Sequence, residues 1–176
     1  YVTAAIFSLN YEAISGSIMQ MLSHGIVSAA LFLCVGVLYD RMHTKKIAEF
    51  GGVTNVMPRF AFAFMIFTLA SVALPGTSGF VGEFLILVGM FKFNTTFAAL
   101  AASGMVLGAA YMLYLYKNVM FGEVKNSAVK ALTDITVAEK ICLYTLAILT
   151  LVLGLYPSVV SHVTDNAVLM IESIFN

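Results

Sequence analysis

Leu74-Pro75-Gly76-Thr77-Ser78-Gly79-Phe80-Val81-Gly82-Glu83-Phe84 lies in the middle of an apolar run from Phe60 to Phe91. At ~1.5 Å per residue, one unbroken helix over that run would be about 48 Å long, against a hydrocarbon core of about 30 Å. The run must therefore tilt steeply or break, and Pro75, Gly76 and Gly79 say where it breaks. Beyond the break sits Glu83, far from any charged flank. A lone carboxylate at that depth costs about 2.5–3.5 kcal/mol even on the lenient insertion scale. A buried acid beside a broken membrane helix is a common way to build a path for an ion or a proton.

Composition supports a membrane setting. The chain is 61% hydrophobic and 10% charged, with a mean hydropathy of +0.97; a soluble domain is about 45–50% apolar and about 25% charged. Only helices and closed barrels span a bilayer, and these long runs lack the alternation of barrel strands. The expected fold class is therefore all-α, a polytopic transmembrane bundle with one discontinuous helix. Zero net charge gives no sign of a nucleic-acid partner. Cys34 and Cys142 fall inside apolar spans, without metal-ligand spacing, and read as small buried apolar side chains.

The chain divides as a single transmembrane domain, residues 1–176. Tyr1 to Leu9 reads as the end of a helix, and the chain as a fragment of a longer protein. Asn10 is a cap, with Glu12 in the following turn. Spans are expected at about 13–38, 60–91, 95–121 and 139–156, with Pro157 ending the last. Residues 158–176 read as an amphipathic tail lying in the interface. Arg41, Lys45, Lys46, Arg59, Lys117, Lys125, Lys130 and Lys140 collect on one side, against Lys92 alone on the other. That asymmetry puts the long loops in the cytoplasm of a bacterium, with the chain in its inner membrane, or in the matrix of a mitochondrion, with the chain in the mitochondrial inner membrane.

Glu83 is the first candidate for chemistry. The helix dipole and free amides of the second half-helix favour its ionised form, while desolvation favours the protonated one. Opposed influences of this kind suit a group that loads and releases a proton. The other reading is a structural glutamate, satisfied by the break or by a lysine on another helix. Around the break, carbonyls near Ser71 to Leu74 and amides near Thr77 to Phe80 are expected to lack helical partners. His24 is the second candidate. Ser17, Gln20, His24 and Ser28 recur at spacings of three and four, which makes a polar stripe that could line a hydrated path. The competing reading is a packed histidine donating to a carbonyl. Gly104 and Gly108 form a GxxxG, read as a helix-packing element. Tyr111, Tyr114, Tyr116 and Lys117 read as an interface belt, Lys92 as an anchor or an exit-side group, and His43 and His162 as solvated. The chain has no glycine-rich nucleotide motif, haem or iron–sulfur ligand set, or nucleophile elbow. No redox site and no cofactor are expected in it.

Several stretches together resemble a known family. Gln20-Met21-Leu22-Ser23-His24-Gly25, Ala29-Ala30-Leu31-Phe32, Tyr39-Asp40-Arg41, Gly51-Gly52 and the 74–84 motif closely resemble the subunit M (chain 4) family of NADH–quinone oxidoreductase, respiratory complex I. The similarity covers nearly the whole chain and is strongest over 18–91. It implies an antiporter-like membrane-arm subunit of about fourteen helices, of which this chain is the C-terminal third, ending on the outer side. Its partners would be the other membrane-arm subunits, especially the neighbouring antiporter-like ones, and the lipid bilayer. NADH, FMN, iron–sulfur clusters and quinone would belong to other subunits. Related subunits L and N carry lysine where subunit M carries glutamate, so Glu83 favours subunit M. By the same resemblance His24 matches a histidine on the central hydrophilic axis. The family's glutamate–lysine pair and central lysine would lie before residue 1, so the fragment should not pump alone. The expected function is proton translocation as part of an NADH:quinone oxidoreductase. The rivals are a subunit of a multisubunit sodium/proton antiporter, a structural membrane-arm subunit without its own proton path, and a plastoquinone-linked relative.

Overall fold

A computed structural model describes residues 1–124 and 126–175; Lys125, counted above among the charges of the long loops, lies outside the described residues, as does Asn176 at the end of the tail. The helices are α1 (Val2–Phe7), α2 (Tyr11–Met42), α3 (Pro58–Ser71), α4 (Ser78–Phe93), α5 (Thr95–Met120), α6 (Ser127–Lys130), α7 (Val137–Leu155) and α8 (Ser158–Phe175). Three of them, α2, α5 and α7, are long and apolar enough to cross a membrane. With 14 and 16 residues, α3 and α4 are about 21 and 24 Å long. Neither spans alone; together they make the expected discontinuous helix.

The break runs from Val72 to Thr77, earlier than the sequence places it. The proline ring clashes with the carbonyl four residues back and drives the residue before it out of the helical region. For Pro75 those residues are Ser71, where α3 ends, and Leu74. The chain turns through Ala73 at φ 55° and Gly76 at φ 93°, a region that glycine enters freely and alanine does not. The expectation of unpartnered backbone is met only in part. The Leu74 amide reaches back to the Leu69 carbonyl at 3.0 Å, and the Leu74 carbonyl accepts from both the Thr77 amide at 3.1 Å and the Thr77 hydroxyl at 2.7 Å. Gly79 lies outside the break, as the second residue of α4. Its missing Cβ lets the Ala70 carbonyl sit directly against it.

The centre of the bundle is the antiparallel pair α2 and α4. A Cβ on Gly82 would fall 2.8 Å from the Gln20 backbone, and one on Gly16 would fall 2.8 Å from the Ile86 amide. Small residues let the two backbones close to this distance, as packing in lipid favours. Asn10 fastens the end that carries Lys92. Its carbonyl oxygen accepts from the Ala13 amide at 3.0 Å, and its amide donates to the Gly89 carbonyl at 2.9 Å. Nearby, Lys92 forms an ion pair with Glu12, which gives the lysine an anchoring partner.

At the opposite end Arg41 ties α2 to the loop at 133–134 and to α7. Its guanidinium donates to both Glu139 oxygens at 2.8 Å, to the Val37 carbonyl at 2.9 Å and to the Thr133 carbonyl at 3.0 Å. Asp134 accepts from the Arg59 and Phe60 amides at 3.1 and 3.2 Å and so caps α3. Thr136 and Glu139 form a capping box on α7. The main core lies on this side, around Phe60, Phe64, Phe67, Tyr116, Met120 and Leu143.

The tail is helical, as expected from 158 onward, and it packs on the bundle. Pro157, Val160, Ser161 and Thr164 lie against Ser15 and Met19 of α2 and Val81 and Leu85 of α4. Asp165 accepts from the Tyr11 hydroxyl at 2.8 Å and Glu172 from the Tyr11 amide at 3.0 Å. Val163 and Met170 stay exposed. Its neighbour α7 ends on the α3–α4 break, with Gly154 seated directly against Gly76 and Thr77. Cys34 is buried, but Cys142 is exposed, because it faces outward from α7. The GxxxG of α5 packs no other helix among the described residues: Gly104 meets only the Tyr1 ring and Gly108 only Tyr111 of its own helix. His43 and His162 are exposed, as expected.

Candidate functional site: a carboxylate, a histidine and a shared cavity

Glu83 is the sixth residue of α4, in the second turn, beyond the first turn where the helix dipole acts most strongly. The close α2–α4 seam holds it half-buried beside Gln20. Gln20 Nε2 donates to Glu83 Oε1 at 3.2 Å. That is its one hydrogen bond among the described residues, and no lysine reaches it there. Gln20 Oε1, the other end of the same amide, is buried without a partner. The carboxyl is thus thinly satisfied at a position where lipid offers nothing in exchange.

A cavity of about 230 Å³ opens beside it, walled by α2, α3, α4 and α5. Gln20, His24 and Ser28 supply the α2 wall, Ser71 the end of α3, Gly79 and Glu83 the start of α4, and Tyr111 the α5 wall. At about 30 Å³ of liquid volume per water, the space is roomy enough for several molecules, and its lining offers the polar partners they need. The chain thus brings His24 and Glu83, 59 residues apart, onto one polar chamber next to the helix break. His24 is exposed, and its ring makes no hydrogen bond among the described residues, unlike a packed histidine fixed on a carbonyl. Ser28 donates to the His24 carbonyl at 2.6 Å.

Two assignments from the stripe change. Ser17 does not line the cavity; it is buried and donates to Ile14 of its own helix at 2.7 Å. Ser23 takes a place instead, and its hydroxyl pairs with that of Ser78 at 2.8 Å, joining α2 to the start of α4. The tyrosine belt also divides. Tyr116 is buried and donates to the Ala61 carbonyl at 3.0 Å, whereas Tyr111 borders the cavity. Helical spacing could have flagged Ser23, three residues from Gln20, but nothing local to Tyr111 reveals its neighbours.

Known proteins match this chain along most of its length. Residues 1–109 fit the family described as NADH:quinone oxidoreductase/Mrp antiporter, transmembrane region. Subunit M of the NADH-quinone oxidoreductase of Rhodobacter capsulatus is 54% identical over 168 residues, covering 96% of this chain and 33% of the relative. NADH-ubiquinone oxidoreductase chain 4 of Marchantia polymorpha is 50% identical over 159 residues, covering 90% and 32%. The chain therefore spans about a third of the length of the curated relatives it matches. Among solved structures, respiratory complex I from Thermus thermophilus contains a chain that superposes with a TM-score of 0.92 at 29% identity, covering 99% of this chain and 37% of that one. The Mrp complex from Dietzia gives 0.81 at 20% identity, covering 91% and 38%, and shares the fold. A broken membrane helix, an acid one turn past the break and these matches agree: the chain belongs to the NADH:quinone oxidoreductase/Mrp antiporter membrane family.

Proposed function

We propose that this chain is the C-terminal part of a proton-translocating, antiporter-like subunit of an NADH:quinone oxidoreductase. Electron transfer would occur in other subunits, which would hold NADH, FMN, iron–sulfur clusters and quinone. The membrane would be a bacterial inner membrane or the mitochondrial inner membrane, and the partners the adjoining membrane-arm subunits. The observation that carries this reading is the placement of Glu83 and His24 on one polar cavity at the helix break.

The residues suggest a stepwise route. An ionised Glu83 accepts from Gln20 Nε2. A protonated Glu83 has an O–H to donate and, once the amide turns over, meets the unpartnered Gln20 Oε1. The two protonation states are thereby matched by the same neighbour, which narrows the free-energy gap between them. His24, on the α2 wall one turn on from Gln20, supplies an imidazole, the side chain type suited to proton exchange. Charge changes elsewhere in the assembly would bias Glu83 toward loading or release. A subunit of a sodium/proton antiporter shares the fold, but the relatives at 50% identity or above named here are all NADH dehydrogenase subunits.

Glu83→Gln in the full-length protein, within the assembled complex, tests this. Proton transport per NADH oxidised should fall while assembly stays intact. Transport equal to that of the parent, with intact assembly, overturns the assignment.

A further inference from the structure

We propose that Tyr111 is a positioning residue of the proton path, its phenol hydroxyl holding in line the water that joins His24 to Glu83. The proposal rests on the reading of Glu83 and His24 given above. Tyr111 is 9 residues from the end of α5 at Met120, about 14 Å and more than two turns in from the rim. That depth does not suit an interfacial anchor, whose hydroxyl needs the headgroup region. Four other tyrosines find protein acceptors. Tyr1 donates to the Ala101 carbonyl, Tyr11 to Asp165, Tyr116 to the Ala61 carbonyl and Tyr144 to the Arg59 carbonyl. The Tyr111 hydroxyl has no such acceptor among the described residues, and its side chain borders the cavity that Glu83 and His24 share.

The wall it belongs to is otherwise apolar. Met112 is its companion from α5, and Leu31 and Val27 add apolar lining from α2. A water file along such a surface needs a polar group on that side, because each water seeks two to four partners. A phenol accepts one hydrogen bond and donates another. When a proton arrives from a water on its oxygen, its own hydroxyl proton leaves to the next water, so the residue ends neutral and the count of protons is unchanged. Tyr111 is 65% exposed, so the hydroxyl is open to the waters of the file.

The test uses the full-length subunit in the assembled complex with Tyr111→Phe, Tyr111→His and Tyr114→Phe. Tyr114 borders a different cavity near the loops. Proton transport per NADH oxidised is read together with the infrared carboxyl stretch that disappears in Glu83→Gln. Tyr111→Phe should lower transport several-fold and shift that band. Tyr111→His, which keeps a donor and an acceptor, should restore most of the transport, and Tyr114→Phe should match the parent. Parental transport and an unmoved band in Tyr111→Phe, with Glu83→Gln inactive, overturn the role of Tyr111 and leave the function intact. Equal loss in Tyr111→Phe and Tyr111→His overturns the hydroxyl's role. Parental transport in Glu83→Gln overturns the underlying function itself.

Discussion

Glu139 and Glu83 both stand near the start of a helix, and their surroundings differ in kind. Glu139 receives both prongs of the Arg41 guanidinium and the Thr136 amide. Glu83 receives one neutral amide and faces a polar cavity. The first is held in one state by bidentate, charge-assisted bonds. The second has one neutral donor and an open side. A carboxyl that only stabilises is closed off by its neighbours; one that exchanges protons must keep an open side. The difference between the two carboxyls is therefore a difference in how completely a charge is answered.

The largest effect on folding should come from Arg41→Ala. It strips bonds to Glu139, Val37 and Thr133 at once, and side-chain exposures of 14% and 24% for Arg41 and Glu139 mean that water replaces them only in part. A loss of about 1.5–3 kcal/mol is expected from the charged bonds, read as a lower thermal midpoint and weaker incorporation into the complex. A midpoint unchanged by Arg41→Ala would erase the contrast. Next comes Glu83→Gln, with a change in stability within about 0.5 kcal/mol alongside the transport defect above. A stability loss as large as that of Arg41→Ala would make Glu83 a structural residue after all. Smallest is Glu12→Gln, which removes an ion pair whose lysine is largely exposed. Exposed pairs contribute about 0.2–1 kcal/mol, so its midpoint should shift by less than that of Arg41→Ala, and the shift should shrink further in high salt.

The sequence was most legible where physics is local. A proline acts on the residue before it and on the carbonyl four back, so a break near Pro75 could be read directly, and only its extent was misjudged. A charge inside an apolar run announces itself, which is why Glu83 stood out. The polar stripe was legible as a face, but a face is an arc. Gln20, His24 and Ser28 fall on the cavity, while Ser17 turns into the packed seam and Ser23 replaces it. What spacing could not supply is where helices return. Arg41 finds Glu139 across 98 residues, and Tyr111 comes to the cavity on a helix that runs back from the end that carries Lys92. Both looked like rim residues because their types are common there. The tail read as amphipathic from its pattern, and its polar side found Tyr11 rather than standing apart.

Gly154 pressed onto Gly76 and Thr77 has a mechanical consequence. The interruption in one membrane rod abuts the end of another, and Gly79 against Ala70 braces the same joint from within. Neither backbone has room to swing without prising the rods apart. A device built this way would conduct with a stationary frame, its turnover carried by rotating hydroxyls and amides instead of by tilting domains.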